Sequence, residues 1–177
     1  MRKRFEVNPV LNLTPIENVK LSLKSRDELS PILAALQYVF VTPSLNEQIF
    51  SLIEKDVVED KKRTGRSGMD LWHILVLASL RDGLAADFDR LEDLANHHKL
   101  IRLILGVDDV LNDIRFRYNT IRNNVAHIKD ATLKEINKIV ANHARKLFDG
   151  GKNNRLHLKT DSYSLENNVH FPTDLNL

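Results

Sequence analysis

Leu71-Trp72-His73-Ile74-Leu75-Val76-Leu77-Ala78-Ser79-Leu80 decides the fold. Eight of these ten residues are apolar, the exceptions being His73 and Ser79. A helix that is apolar nearly all round is normally the buried centre of a bundle, because a surface helix needs only one apolar stripe. Asp70 supplies a cap or first-turn acid ahead of it, and Gly83 ends it or comes close. Within the run Trp72 reads as a packing anchor, and His73 as a hydrogen-bonded core histidine. This is also the longest apolar stretch of the chain, too short and too interrupted to span a bilayer.

On the N-terminal side, Glu59–Gly68 is a charged, glycine-punctuated loop. Before it, Ser30-Pro31 and Thr42-Pro43 each pair a capping hydroxyl with proline at the first helical position. Leu29, Ile32, Leu33, Leu36, Val39 and Phe40 follow the first signal with helical spacing, and Leu45, Ile49, Ile53 and Val57 follow the second. The two read as an antiparallel pair joined by a very short turn. Residues 1–27 contain Pro9 and Pro15 and no clear period, so they read as a loosely ordered arm. Their basic start is not followed by an apolar run, and no secretory signal is expected.

On the C-terminal side, Asp87 caps a helix carrying Phe88, Leu91, Leu94 and Ala95. A short helix with Leu100, Ile101, Ile104 and Leu105 stops at Gly106, a natural left-handed cap. Around Arg115–Ile128 the positions Tyr118, Ile121, Val125 and Ile128 again fit a helix. Thr132-Leu133-Lys134-Glu135 is a capping box opening a last helix with Leu133, Ile136, Ile139, Val140 and Leu147 inward, closed by Gly150-Gly151. Beyond it, Arg155–Asp161 alternates apolar and polar residues, and Tyr163, Leu165, Val169 and Phe171 suggest a second strand. A lone pair of strands is marginal in water, so it reads as the opening of a larger sheet. The expected fold class is mainly α: a multi-helix bundle followed by a C-terminal β-hairpin. The expected divisions are an arm over 1–27, a helical domain over 28–151 and the sheet's beginning over 152–177.

The chain has 177 residues, with 26 Lys and Arg against 24 Asp and Glu, a formal charge of +2. It contains no cysteine, which excludes disulfides, thiol nucleophiles and Cys-based zinc sites. A reducing, cytoplasmic setting suits that composition. Basic and acidic residues number 11 and 9 over 1–66, 4 and 6 over 67–106, and 11 and 9 over 107–177. Any nucleic-acid surface must therefore be local.

Two stretches qualify. In the loop, Lys61, Lys62, Arg63 and Arg66, with Gly65 and Gly68 allowing close backbone approach, suit phosphates. A solvated interhelical linker would look the same. The second stretch bears Arg115, Arg117, Asn119, Arg122, Asn123 and Asn124. Arg suits guanine edges and Asn adenine, and positions 115, 119 and 122 share one helical face. A mixed polar surface helix is the alternative. Asp87–Leu105 has helix-turn-helix spacing, but its second helix is rich in Leu and Ile and reads as core. His97-His98 point about 100° apart on a helix and do not make a metal pair. No glycine-rich phosphate loop, Ser-His-Asp spacing or zinc motif appears.

Thr64-Gly65-Arg66-Ser67-Gly68-Met69-Asp70-Leu71-Trp72-His73-Ile74-Leu75-Val76-Leu77 resembles the helical N-terminal domain of bacterial insertion-sequence transposases. Lys159-Thr160-Asp161-Ser162-Tyr163-Ser164-Leu165-Glu166-Asn167-Asn168-Val169-His170-Phe171-Pro172-Thr173-Asp174 resembles the start of their RNase H-like catalytic domain. There an Asp on the first strand is followed by a His-aromatic-Pro-Thr-Asp run, and this second match is the more specific. Ser67 departs from the proline usual after Gly-Arg in the family.

The resemblance implies that the expected hairpin begins an incomplete RNase H-like α/β domain. It also implies that Asp161 is a catalytic ligand of paired Mg²⁺ ions, which activate the attacking oxygen and stabilise the leaving one in phosphoryl transfer. Such a site draws on about three carboxylates, and the family's second Asp and its Glu are not in this sequence. On this reading the chain is a truncated DDE transposase that keeps binding to DNA at the terminal inverted repeats of its element, or self-association as a homodimer. It has no stable metal, membrane partner or small-molecule substrate. The alternative is a small helical DNA-binding regulator or protein-interaction module without catalysis. A nuclease completing its site by dimerisation is a third reading.

Overall fold

The computed structural model describes residues 3–5, 14–22, 24, 27–58, 68–107 and 114–149. Among them run α1 (Leu29–Val41), α2 (Pro43–Val58), α3 (Leu71–Gly83), α4 (Phe88–His97), α5 (Lys99–Leu105), α6 (Tyr118–Val125) and α7 (Asp130–Asp149), preceded by a single 3₁₀ turn at Ile16–Asn18. All eight apolar residues of Leu71–Leu80 are buried, and His73 and Ser79 are partly exposed. Helices α1, α2, α4, α5 and α6 all pack on α3. The all-round apolar pattern thus marks the element that other helices surround.

Helix α2 starts at Pro43, and the carbonyl of Thr42 accepts from the amides of Leu45 and Asn46 at 3.1 and 3.0 Å. Helix α1 starts one residue ahead of its Ser-Pro signal, because Asp27 Oδ1 accepts from the Leu29 amide at 3.0 Å. Ser30 then lies inside the helix, buried. Asp87 caps α4, its Oδ1 accepting from the Arg90 amide at 2.8 Å. Helix α5 ends at Gly106 with φ 70°. A Cβ there would stand 2.8 Å from Phe5 Cζ. Gly106→Ala is expected to lower stability by about 1–2 kcal/mol through the left-handed backbone alone, and further because Phe5 must withdraw. A urea midpoint equal to that of the parent would contradict this.

Three local expectations yield to tertiary contacts. The helix expected over Arg115–Ile128 begins only at Tyr118, since Asn96 holds the Phe116 backbone extended. Helix α7 begins at Asp130, so Thr132 lies within it and is not its cap. The Thr132 hydroxyl donates to Asp56 of α2 instead. The arm expected to be loose is stitched down where it is described. The carbonyls of Lys3 and Arg4 accept from the first amides of α3, Leu71 and Trp72, at 3.0 and 2.9 Å. The Arg4 guanidinium bridges Glu54 at 2.8 and 3.2 Å and also binds Glu47. Phe5 lies edge-on to Phe40, Trp72 and His73. Farther along, Ile16 and Val19 are buried, and Gln37 Nε2 donates to their carbonyls at 2.7 and 2.9 Å.

The fold class is corrected accordingly. The described residues contain helices and no strand, so the mixed class with a C-terminal β-hairpin and an incomplete RNase H-like domain gives way to an all-α fold. The expected hairpin over 152–177, Gly150-Gly151, Asp161, and the loop cations Lys61, Lys62, Arg63 and Arg66 lie outside the described residues. Among the described residues no helix is long and apolar enough to cross a membrane.

Candidate nucleic-acid interface

Helix α6 divides cleanly by exposure. Ile121, Asn124 and Val125 are buried, while Asn119, Thr120, Arg122 and Asn123 are exposed. At about 100° per residue, Asn119, Arg122 and Asn123 share the side opposite Ile121 and Val125. Asn124, by contrast, turns inward, and its Nδ2 donates to the Thr120 carbonyl at 2.6 Å.

Arg115 and Arg117 lie just ahead of α6, where the sequence predicts helix. They are not on the helix but on an extended strap, residues 114–117, that leads into it. Side chains alternate along extended backbone, so Phe116 turns inward, 4% exposed, while Arg115 and Arg117 remain exposed. The strap is fastened from three directions. Asn96 of α4 binds both the amide and the carbonyl of Phe116, at 2.9 and 2.8 Å. The buried Arg102 of α5 reaches the carbonyls of Ala95 and Ile114, each at 3.4 Å. The Phe116 ring stands perpendicular to the His73 imidazole, with centroids 5.4 Å apart. The first turn of α6 is steadied by Tyr118, edge-on to Phe88 at 6.1 Å, and Arg81 covers the Phe88 ring at 4.8 Å.

Between Ile114 and Lys129 the sequence contains Arg115, Arg117, Arg122 and Lys129 but no acid. Lys129 Nζ lies 3.4 Å from Asp56, and the other cations of this segment are Arg115, Arg117 and Arg122. Arginine offers a fork of donors to phosphate or to guanine, and asparagine pairs a donor with an acceptor as adenine requires.

His73 and His98 hold backbone groups of the fold. Burial pushes the His73 pKa below its ordinary value, although the Leu105 carbonyl and Asp70 pull it back. The ring is therefore neutral, with Nε2 donating to that carbonyl at 2.9 Å. Beside it, Trp72 Nε1 donates to the Ile104 carbonyl at 2.8 Å. His97 pairs with Asp93 at 2.9 Å, whereas His98 Nδ1 accepts from the Ile101 amide at 3.4 Å and caps α5. Among the described residues no three of His, Asp and Glu gather as a metal site. Asn96 escapes sequence reading altogether, since nothing local distinguishes an asparagine that clamps backbone twenty residues away. Comparison with protein-family models, curated proteins and solved structures finds no match to the chain.

Proposed function

We propose that the chain binds duplex DNA through the strap at 114–117 and the outer face of α6. One observation carries this reading: Arg115, Arg117, Asn119, Arg122 and Asn123 are all exposed on one continuous unit whose opposite side is buried, and no acid interrupts it. The dimensions agree. An α-helix is about 10–12 Å across with its side chains, and the major groove of B-DNA, about 12 Å wide, admits one. The resemblance to insertion-sequence transposases supplies the target class, the terminal inverted repeats of a mobile element. In this reading Arg115 and Arg117 meet phosphates, which position the protein, while Asn119, Arg122 and Asn123 meet base edges, which specify the site.

The test is binding to a labelled duplex across a salt series. The parent chain is expected to show log affinity falling linearly with log salt. Arg117→Ala should reduce that slope by about 0.9, the share of one phosphate contact. Arg122→Ala should instead narrow the gap between element-end and unrelated duplexes by about 1–3 kcal/mol. Salt-independent binding, or none, would overturn the reading.

A further inference from the structure

One side chain grips the Phe116 backbone on both of its polar groups. Asn96 Oδ1 accepts from the amide and Nδ2 donates to the carbonyl, the exchange that one strand makes with its neighbour, here supplied by a helix. Nδ2 also donates to the Glu92 carbonyl at 2.8 Å, which fixes the amide's own rotamer. Phe116 is buried between the exposed Arg115 and Arg117, the alternation of extended backbone, in which positions two apart lie on one side roughly 6.6 Å from each other. Neighbouring phosphates on one DNA strand are separated by a similar distance.

We propose that Asn96 is a positioning residue for nucleic-acid binding, holding Arg115 and Arg117 as a pair matched to consecutive phosphates of one strand. This inference rests on the DNA-binding reading above. Asn96 does not itself touch the ligand. It removes backbone freedom from the strap in advance, so two long side chains are ordered from a fixed base when they bind.

The experiment measures salt slopes on a labelled duplex for the parent, for the double variant Arg115→Ala/Arg117→Ala and for Asn96→Ala, alongside hydrogen exchange at the Phe116 amide. The double variant is expected to lower the slope by about 1.8, two phosphate contacts. Asn96→Ala changes no charge, yet it should lower the slope by a comparable amount while the Phe116 amide passes into fast exchange. Thermal melts establish that each variant is folded at the assay temperature. Where the alanine variant is not, Asn96→Gln, which keeps the amide but shifts it by one methylene, takes its place with the same expectation. If the parent binds, the arginine pair carries the slope and the Asn96 variant keeps the parent slope despite fast exchange, the inference is overturned and the DNA reading stands. If the parent shows no salt-dependent binding, both fall.

Discussion

Trp72→Ala is expected to lower the stability of the bundle by about 3–5 kcal/mol. Trp72 is fully buried on the central helix, its ring 5.1 Å from Phe40 and 6.1 Å from Phe5. Its Nε1 also satisfies the buried carbonyl of Ile104, so alanine leaves both a cavity and an unpaired acceptor. Domains of this size have only about 5–15 kcal/mol in total, and the variant should be extensively unfolded well below the melting temperature of the parent. Trp72→Phe keeps a ring in the cluster and loses the N–H, and should fall between the two. The chain has a single tryptophan, so helical circular dichroism in a urea series is the appropriate probe. An unfolding free energy within about 1 kcal/mol of the parent's would place the indole outside the core.

The second large effect is expected at Asp56. Its side chain is 7% exposed, in the middle of a contact between α2 and the start of α7. It accepts from the Lys129 amide at 3.1 Å and from the Thr132 hydroxyl, with Lys129 Nζ 3.4 Å away. Burial pushes its pKa up, but the bonds from Thr132 and Lys129, together with the lysine charge, outweigh burial and leave it below the ordinary carboxylate value. A carboxyl group with a depressed folded pKa contributes stability above its unfolded value of about 3.9, and that contribution is lost as pH falls through the folded value. Asp56→Asn should therefore be less stable near neutrality by about 1–3 kcal/mol, with a shallower loss of stability in acid. His73 acts in a separate window. Its folded pKa is lowered, so the unfolded chain takes up a proton first, and stability declines as pH drops below about 6.5. Denaturant midpoints recorded through both windows distinguish the two groups: Asp56→Asn should alter only the lower one. If the lower limb is unchanged in that variant, Asp56 is not the group responsible.

What could be read along the chain was the set of signals that act within one turn. The nearly all-apolar run of α3, the proline opening α2, the Asp87 cap and the left-handed Gly106 depend on residues a few positions apart, and each appears where its pattern places it. What could not be read depends on partners far away in sequence. The capping box at Thr132 is locally sound, but a buried carboxylate 76 residues earlier binds that hydroxyl more strongly than a helix end would. Likewise Arg115 fits a helical face by spacing alone, and only the Asn96 clamp takes it off the helix. Of the candidate site, Asn119, Arg122 and Asn123 stand exposed on α6, as their positions beside the apolar stripe imply. The anchoring of Lys3, Arg4 and Phe5 had no period to reveal it, because two carbonyls, one guanidinium and one ring do the holding.

The pairing of Asp56 with Thr132 also has a timetable. Ribosomes extend a chain by about 5–20 residues per second, so several seconds pass after α2 emerges before its carboxylate meets the residues that neutralise it. During that interval the early helices must remain associated, or shielded by chaperones, with one face of α2 still awaiting its cover. The contact between α2 and α7 therefore closes only after Thr132 has left the ribosome, 76 residues behind Asp56.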